Sequence, residues 1–390
     1  MTKRVVFMCN ALDDLTRSER AISTDSPAAT RKIILMCKAL RLAGVRPIIL
    51  SMGRGGSISE WKSFSSVVRR INGLPLLYIP FTSIPLLSQL VSAISLMYVV
   101  CKLRLKGIKH LIFYNRTEAF LPSLLVSSLI GYKNVLDLED GEVRISGRLL
   151  HRSFARIIIH AFNIFCDRAL LACSALKQAT SIRSTLCYYG AIFQFRQKLT
   201  LDSKPITILM SGTLSHETGA NLLIDTIRLM TASGLPYLKN IRFEITGKGE
   251  SLDEFKKLAR ATVYPEIVVH GRLTDLDYAE VLNRADVGLS LKLNNGPYAN
   301  TTFPSKVIEY AAAGLLIVTT DISDVRTIFG SGALYLNNDN PLELLRHLEF
   351  ISANPNDALM VSAIGQQAVQ QICSPNLVGN KIQQFIFGGV

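Results

Sequence analysis

The stretch FPSKVIEYAAAGLLIVTTD, residues 303–321, joins three patterns. A Pro-Ser-Lys turn is followed by a short apolar helix with one glutamate, and then by a glycine and a β-branched run. Gly314 is a typical helix end, and the run after it is typical of a buried strand. Lys306 and Glu309 are three residues apart and therefore lie on one helix face. The stretch predicts a helix followed by a strand, with one charged pair on a helix otherwise built to be buried.

The same alternation of strand and helix patterns runs along the chain. The clearest strand patterns are residues 5–8, 47–51, 110–115, 134–138, 206–212, 241–247, 266–271, 287–291 and 315–320. Around residues 190–205 the pattern loosens, which indicates a linker. Such alternation predicts parallel sheets covered by helices on both faces. We therefore predict an α/β fold with two Rossmann-like domains, residues 1–195 and 196–375, and a C-terminal helix over 376–390 that packs back on the first domain.

Composition indicates a globular chain with an uneven charge distribution. The chain has 390 residues, of which 48% are hydrophobic and 19% charged. Residues 1–200 carry a net charge of +17, whereas the remainder carries −4. A basic half predicts an anionic partner, but no RNP motif, zinc finger or aromatic-studded basic strand occurs, so nucleic acid is not expected. The seven cysteines form no CxxC pair, which favours buried free thiols in a reducing compartment.

One long apolar segment suggests contact with lipid. Residues 71–101 contain no charged side chain, and four basic residues follow within 102–109. Prolines leave about seventeen helical residues, roughly 26 Å, which is marginal for a bilayer. A buried core helix, a membrane-dipping helix and a transmembrane helix are all open interpretations. Arg148, Arg152 and Arg156 then recur every fourth residue, which predicts either a stripe for anionic headgroups or an ordinary solvated face.

Four segments, in order, carry a resemblance to a known family. They are MSGTLSHETGANLLIDTI, FEITGKGESLDEFKKLA, VVHGRLTDLDYAEVLNRADVGLSL and FPSKVIEYAAAGLLIVTT, and the match covers roughly residues 206–350. Together they resemble the nucleotide-sugar domain of family-4-like glycosyltransferases of the GT-B fold, of the bacterial surface-polysaccharide type. The resemblance implies two Rossmann-like domains facing across a cleft, a nucleoside-diphosphate sugar as donor, no cofactor and no metal.

The charged pair of residues 303–321 then has a chemical role. Ser305, Lys306 and backbone N–H groups at a helix start supply donors and positive charge for a diphosphate. Glu309, one turn on, accepts hydrogen bonds from two ribose hydroxyls, as the family's matching glutamate does. The alternative for the pair is an ordinary surface ion pair.

Further donor-site candidates follow from the resemblance and from the glycine turns. Gly212 allows backbone to approach the phosphates after a strand, and Gly247 and Gly249 do so under the base. The remaining candidates are Thr213, Arg272 and Thr301. Thr301 stands where the usual motif has a second glutamate, and Thr213 stands in a glycine turn that lacks the usual basic residues, so phosphate neutralisation rests more on Lys306.

Acidic residues after a strand of the first half are candidates for the chemistry. The segment 137–144 follows a strand, and Glu139 and Asp140 stand where retaining relatives carry His-Asp. A carboxylate there is a candidate base for the acceptor hydroxyl. A DxD-like metal site and a solvated acidic turn are the alternatives. Asp137, and Asp13 and Asp14 in a long loop after the first strand, are further acceptor-side candidates.

These observations predict a metal-independent glycosyltransferase that moves a sugar to a hydroxyl of a lipid-linked or growing glycan in surface-polysaccharide assembly. Its expected partners are a nucleotide sugar, a lipid-linked or oligosaccharide acceptor and an anionic membrane surface. The expected location is cytoplasmic, peripheral on the membrane face. The alternatives are a nucleotide-sugar 2-epimerase of the same fold and a catalytically silent nucleotide-sugar-binding partner.

Overall fold

The computed structural model describes residues 2–56, 61–141, 149–196, 205–234, 239–295 and 299–388, without the side chains of residues 85 and 149–152. The chain divides into two compact units. Unit 1 comprises Met1–Ala191 and Ser374–Val390, and unit 2 comprises Ile192–Cys373. Each unit has its own hydrophobic core.

Unit 1 is built on a mostly parallel sheet. Its strands are β1 (Arg4–Cys9), β2 (Arg46–Ser51), β3 (Ser63–Phe64), β4 (Val67–Ile71), β5 (Leu74–Tyr78), β6 (Phe81–Thr82), β7 (His110–Tyr114), β8 (Lys133–Leu138), β9 (Arg168–Leu171) and β10 (Ser184–Cys187). Within the described ranges, eight of them form a sheet of order β10-β9-β8-β7-β1-β2-β5-β4. Within this eight-stranded sheet only the β4–β5 pair is antiparallel, joined by an Asn72-Gly73 turn in which both residues have positive φ.

Helices cover the sheet of unit 1. They are α1 (Asp14–Glu19), α2 (Pro27–Leu42), α3 (Pro85–Leu105), α4 (Leu121–Leu129), α5 (Leu149–Phe165) and the C-terminal α13 (Pro375–Phe387). Ser26 caps α2 by accepting a hydrogen bond from the Ala29 N–H, with Pro27 at the first helical position. Helix α13 packs against α2 and contributes Val378, Ile382 and Ile386 to the core of unit 1.

A buried arginine ties several loops of unit 1 together. Arg20, at the end of α1, is 2% exposed. Its guanidinium donates to the carbonyl oxygens of Gly53 (2.9 Å), Ile79 (3.1 Å) and Ser65 (3.2 Å). Three aromatic rings lie 5.4 to 5.8 Å from it, those of Phe64, Tyr78 and Phe81. A buried cation is tolerated only when its donors are satisfied, and here backbone oxygens and ring faces do so.

Unit 2 is a parallel Rossmann-like sheet. Its strands are β11 (Ile206–Thr213), β12 (Ile241–Lys248), β13 (Glu266–Gly271), β14 (Val287–Ser290), β15 (Leu316–Thr320) and β16 (Leu334–Leu336). In the described part of this unit the order is β13-β12-β11-β14-β15-β16. Counted from the first strand of the unit, this is 3-2-1-4-5-6, the order of a dinucleotide-binding sheet. The predicted fold class, two Rossmann-like domains, is confirmed.

The helices of unit 2 pack on both faces of that sheet. They are α6 (Ala220–Ser233), α7 (Leu252–Ala261), α8 (Asp275–Arg284), α9 (Lys306–Ala312), α10 (Val325–Phe329), α11 (Pro341–Ala353) and α12 (Pro355–Cys373). The stretch quoted at the outset forms α9 and β15, with Val307, Ile308 and Ala311 buried and Lys306 and Glu309 half-buried. The predicted helix and strand are therefore confirmed.

One local expectation needs correction, and one of the three interpretations left open for the long apolar segment is excluded. The segment after β1 is not a long loop, because helix α1 begins at Asp14. Helix α3 is not buried in a core, since only 22% of its most apolar stretch lies inside the protein. It is the one helix in the described ranges that is long and apolar enough to cross a membrane, judged by length and composition alone.

Candidate functional site

The end of β11 lies where the strand order of unit 2 reverses. Strand β11 pairs with β12 on one side and with β14 on the other. In open α/β sheets, ligands bind at the carboxyl ends of strands at such a switch point. Here β11 ends in Ser211, Gly212 and Thr213. Gly212 has a φ of 115°, and a side chain at this position would begin 3.9 Å from Cε of Lys306. The strand end and the start of α9 are therefore close neighbours.

Lys306, Glu309 and Tyr278 form one polar cluster beside Gly212. Nζ of Lys306 lies 2.6 Å from Oε2 of Glu309 and 3.0 Å from the Tyr278 hydroxyl. That hydroxyl also donates to Oε2 of Glu309 at 3.1 Å, and the Tyr278 ring lies 4.6 Å from Nζ. The Lys306 and Glu309 side chains are 32% and 16% exposed. A partly exposed ammonium and a carboxylate are thus fixed on one side of the strand end.

Two hydroxyl groups connect this cluster to the strand. Oγ of Ser211 lies 2.8 Å from the Tyr310 hydroxyl and 3.2 Å from that of Tyr278. Tyr310 is fully buried, and burial raises the pKa of its hydroxyl. Its ring packs on Gly288, where a β-carbon would come within 2.4 Å of it. The α8 and α9 side chains are therefore held in register with β11 through Ser211.

The N–H groups at the start of α9 are hydrogen-bonded within the first turn of the helix. Ser305 is the N-cap residue and is exposed. The N–H groups of residues 307–309 donate to the carbonyl oxygens of Pro304 and Ser305. These three N–H groups therefore already have acceptors, and the predicted role of backbone N–H groups in phosphate binding stays a prediction.

Gly247 at the end of β12 and Gly249 just after it have a packing role that the sequence does not show. A β-carbon at Gly247 would lie 1.7 Å from the carbonyl oxygen of Gly212, and one at Gly249 would lie 2.1 Å from that of Leu214. Both glycines also have positive φ, 140° and 155°. They allow the ends of β11 and β12 to touch, which shapes the switch point. Their predicted role under the base stays a prediction.

The other donor-site candidates lie on neighbouring loops. Arg272 is exposed and follows β13 directly, and Thr213 is exposed at the end of β11. Oγ1 of Thr301 is buried and makes no hydrogen bond within the residues that the structure describes. Of the predicted donor residues, contacts and glycine geometry thus bring together Gly212, Gly247, Lys306 and Glu309.

In unit 1, a lysine joins two of the predicted carboxylates. Lys32 of α2 contacts Glu139 directly, and its Nζ lies 3.8 Å from Oδ1 of Asp137. The Tyr188 ring lies 4.9 Å from the same Nζ. Burial lowers the pKa of Lys32, but the charges of Asp137 and Glu139 outweigh it, so the net direction is upward. The lysine therefore stays charged between the two acids.

Asp137 and Glu139 differ in their access to ligands. Asp137, in β8, is fully buried, and burial raises the pKa of its carboxyl against the opposing effect of Lys32. Glu139 follows β8 with a side chain 17% exposed, and its N–H donates to Oδ1 of Asn115 at 2.8 Å. Asp140 is exposed, and residues 142–144 of the predicted acidic segment lie outside the described residues. The Glu139 side chain is therefore accessible to a ligand, and its backbone is held in place by Asn115.

Asp13 and Asp14 have local roles in α1. Asp13 is the N-cap of this helix, and its carboxylate accepts hydrogen bonds from the Thr16 N–H at 2.9 Å and the Tyr78 hydroxyl at 2.6 Å. Burial alone would raise the pKa of the Asp13 carboxyl. The hydrogen bonds from these donors outweigh that effect and hold the pKa below its usual value. Asp14 is exposed and pairs with Arg17. Capping accounts for Asp13 without any ligand.

Four side chains of these clusters were not predicted from the sequence, namely Lys32, Asn115, Ser211 and Tyr278. Lys32 did leave a signal, because it occupies the helix face shared by Ala29, Met36 and Ala39, where an apolar residue is expected. Tyr278 lies in the third family-like segment, although no role was given to it. Asn115 carries a positive φ of 57°, visible only in the structure.

Comparisons with known proteins bear on the family of unit 2 and on the fold of the chain. Residues 192–368 match the model of the family described as glycosyl transferases group 1. HepE from Anabaena, solved in complex with UDP, superimposes with a TM-score of 0.68 at 12% identity over 98% of both chains. Sucrose-phosphate synthase from Thermosynechococcus elongatus gives 0.67 at 11% identity over 98% of both chains. The α,α-trehalose 6-phosphate synthase from Burkholderia multivorans gives 0.65 at 10% identity, over 98% of this chain and 96% of that one.

No match to the sequence was found among curated proteins. At identities of 10 to 12%, the solved structures establish the fold, whereas the match over residues 192–368 concerns the family and covers most of unit 2. The switch-point cluster lies inside that matched region. Residues 192–368 therefore match the group 1 glycosyltransferase family, and the chain has the GT-B fold.

Proposed function

We propose that this protein transfers a sugar from a nucleoside-diphosphate sugar to a hydroxyl of a lipid-linked or growing glycan, at an anionic membrane surface, in surface-polysaccharide assembly. The observation that carries the donor half of the proposal is the cluster of Lys306, Glu309 and Tyr278 beside Gly212 at the switch point. HepE, which shares the fold, was solved with UDP-glucose, so a uridine nucleotide is the first donor to test.

The donor chemistry follows from the two charges of the cluster. The Lys306 ammonium is a compact cation suited to a diphosphate, and the Glu309 carboxylate accepts hydrogen bonds from the two ribose hydroxyls. The two charged groups also contact each other, with 2.6 Å between Nζ of Lys306 and Oε2 of Glu309. Tyr278 contacts both and keeps them positioned when the nucleotide takes over their contacts.

The acceptor chemistry is assigned to Glu139 of unit 1. Its carboxylate takes the proton of the acceptor hydroxyl while that oxygen bonds to the anomeric carbon and the nucleoside diphosphate leaves. Lys32 keeps a positive charge against Glu139, and Asn115 fixes the backbone N–H of Glu139. Asp140, exposed one residue later, is the second candidate for the base.

The membrane part of the proposal rests on the outer face of α3. Large apolar side chains 54 to 88% exposed recur at helical spacing along it, at Leu86, Leu90, Ile94, Tyr98 and Leu105. Helix α3 packs on α4 and α4 packs on α5. Exposed apolar residues continue on these helices at Leu129, Ile157 and Ile164. Apolar patches of this extent mark interaction sites.

Basic residues next to that face favour an anionic membrane as its partner. Lys102, Lys106 and Lys109 are exposed at and beyond the end of α3, and Arg156 is exposed on α5. Arg148 lies outside the described residues, as does the side chain of Arg152. Apolar side chains that enter the interface, together with cations that meet acidic headgroups, are typical of helices lying on membranes.

The donor function is tested by thermal stabilisation and product release. At a hundredfold excess over its Kd, a bound nucleotide sugar adds about 2.7 kcal/mol to the free energy of unfolding, so the true donor should raise Tm within a panel. The same compound should release nucleoside diphosphate faster when an acceptor glycan is present. Stabilisation without any release would instead indicate a silent binding partner, and no stabilisation by any nucleotide sugar would contradict the donor site.

The membrane surface is tested by co-sedimentation with liposomes. Binding to vesicles that contain an acidic lipid should be strong and should fall with salt, because exposed charges are screened within about 8–10 Å at physiological ionic strength. Replacing Lys102, Lys106 and Lys109 by Gln should weaken it. Replacing Leu90 and Ile94 by Ser should weaken it at every salt concentration.

A matched control removes the same charge from unit 2. Lys239, Lys256 and Lys257 are exposed there, and their replacement by Gln should leave vesicle binding unchanged. If both triple variants lost the same amount of vesicle binding, net charge would explain the loss, and the position of the lysines beside α3 would not. Equal binding of the wild type to neutral vesicles at high salt would show apolar insertion of α3 without the acidic lipid.

A further inference from the structure

Unit 1 contains an open cavity of about 460 Å³, lined by polar and apolar residues, at the carboxyl ends of its strands. The segments after β1, β2 and β7 reach it, and this is the sheet edge where parallel α/β units bind ligands. Its volume lies within the range of about 300–1,000 Å³ typical of small-molecule sites. Side chains that carry hydroxyl, carboxamide or guanidinium groups line it, among them Asn10, Arg54, Thr82, Gln89, Asn115 and Thr117.

Arg54 is the cation of this cavity. Its backbone is fixed on both sides by Asn10, because the Arg54 N–H donates to Oδ1 of Asn10 at 3.0 Å and Nδ2 of Asn10 donates to the Arg54 carbonyl at 2.7 Å. Its side chain is half-buried, and no carboxylate of the described ranges lies within 4 Å of the guanidinium. Burial lowers the pKa of Arg54, and Glu118 opposes this from a distance. A half-buried cation that has no ion pair within the described ranges is stabilised when an anion binds to it.

The cavity shares Asn115 with the segment that carries the proposed base. Asn115 lines it and accepts the hydrogen bond from the Glu139 N–H at 2.8 Å. Tyr114 lines it too, and burial raises the pKa of its hydroxyl, with the charge of Glu139 acting in the same direction. A ligand in the cavity therefore lies next to the segment that positions Glu139.

We propose that this cavity binds an anionic saccharide acceptor, with the guanidinium of Arg54 on its carboxylate or phosphate group. Carboxamides and hydroxyls in the lining match sugar hydroxyls. A guanidinium presents a planar fork that fits carboxylate and phosphate groups. The inference rests on the proposed function, of which it names the acceptor class.

The test compares three glucose-based probes: neutral methyl glucoside, methyl glucuronide with a carboxylate at C6, and glucose 1-phosphate with a phosphate at C1. Saturation-transfer NMR on the full chain should show an anionic probe binding about 10- to 100-fold more tightly than the neutral one, the range expected for charge-assisted hydrogen bonds. Preference for the glucuronide identifies a ring carboxylate, and preference for the sugar phosphate identifies a phosphate. Equal binding of all three overturns the inference.

Variants separate the arginine from general charge. Arg54→Gln should remove the preference for the anionic probe and leave neutral binding as it was, whereas Arg54→Lys should retain a part of it. Arg70, exposed on β4 outside the cavity, provides the matched control, and Arg70→Gln should retain the preference fully. Persistence of the preference in Arg54→Gln, with its fold checked by thermal unfolding, overturns the role of Arg54.

UDP binding at the donor site tests the proposed function independently of the cavity in unit 1. UDP binding is measured in the same samples and depends on unit 2. A chain that binds UDP but shows no anionic preference contradicts this inference alone. A chain that binds saccharides but no nucleoside diphosphate contradicts the proposed function.

Discussion

Glu139→Gln is expected to lower turnover by about 10²–10⁴-fold, the usual effect of removing a general base. The amide keeps the size of the side chain and its backbone N–H bond to Asn115, but it cannot take a proton. Affinity for the nucleotide should be unchanged, because Lys306 and Glu309 belong to the other unit. Single-turnover transfer, measured beside nucleotide binding, checks both expectations.

Neighbouring variants identify which group acts. Asp140→Asn should have little effect if Glu139 is the base, since Asp140 is exposed one residue further on. Lys32→Met removes the cation that contacts Glu139 and should also slow transfer, whereas Lys32→Arg should retain much of the rate. Loss of activity in Asp140→Asn with a normal Glu139→Gln would reverse the assignment. Wild-type rates in both would leave the base elsewhere in the chain.

Lys306→Ala is expected to weaken nucleoside diphosphate binding by about 1.5–3 kcal/mol, the contribution of a charge-assisted hydrogen bond. This is roughly a 10- to 150-fold rise in Kd at 1.4 kcal/mol per decade. The effect should be large because the N–H groups of residues 307–309 are already hydrogen-bonded within the first turn. Titration calorimetry with UDP measures it, and unchanged affinity in a folded variant would remove Lys306 from the site.

Two companion measurements divide the cluster into phosphate and ribose contacts. Glu309→Gln should weaken binding less than Lys306→Ala, and a nucleotide without ribose hydroxyls should be indifferent to this change. Tyr278→Phe keeps the ring near Nζ of Lys306 but removes the hydroxyl that contacts both charges. It should therefore have a smaller effect than either. Chelation of divalent metals should not alter UDP binding, since the lysine supplies the positive charge.

Local patterns were sufficient for nine strands of the two large sheets and for one charged pair. Continuous apolar runs such as residues 206–210 are buried on both sides of a parallel strand, and this pattern is visible without any structure. Lys306 and Glu309 are one helical turn apart, so their shared face follows from spacing alone. The order of the strands in each sheet was not predicted, because periodicity does not say which strands pair.

Contacts between distant segments could not be predicted in the same way. Lys32 and Glu139 are 107 positions apart, and Tyr278 is 31 positions from Glu309. Each stands in a helix or after a strand whose local pattern says nothing about its partner. The N-cap contact of Asp13 is local by contrast, since the Thr16 N–H that it accepts from is three residues away.

Helix α3 shows a limit of periodicity. It is apolar nearly all round, so its sequence does not distinguish a helix inside a core from one on a surface. Only the packing of α4 on one side shows which residues stay exposed.

The buried guanidinium of Arg20 has a consequence for how the cavity of unit 1 meets a ligand. Its hydrogen bond to the Gly53 carbonyl anchors the residue directly before Arg54, and Asn10 anchors Arg54 itself. The conformational entropy of this loop is thus lost when the chain folds, and little remains to be lost when a saccharide arrives. Weakening that anchor should slow association and lower affinity through disorder of the loop, although Arg20 never touches the ligand.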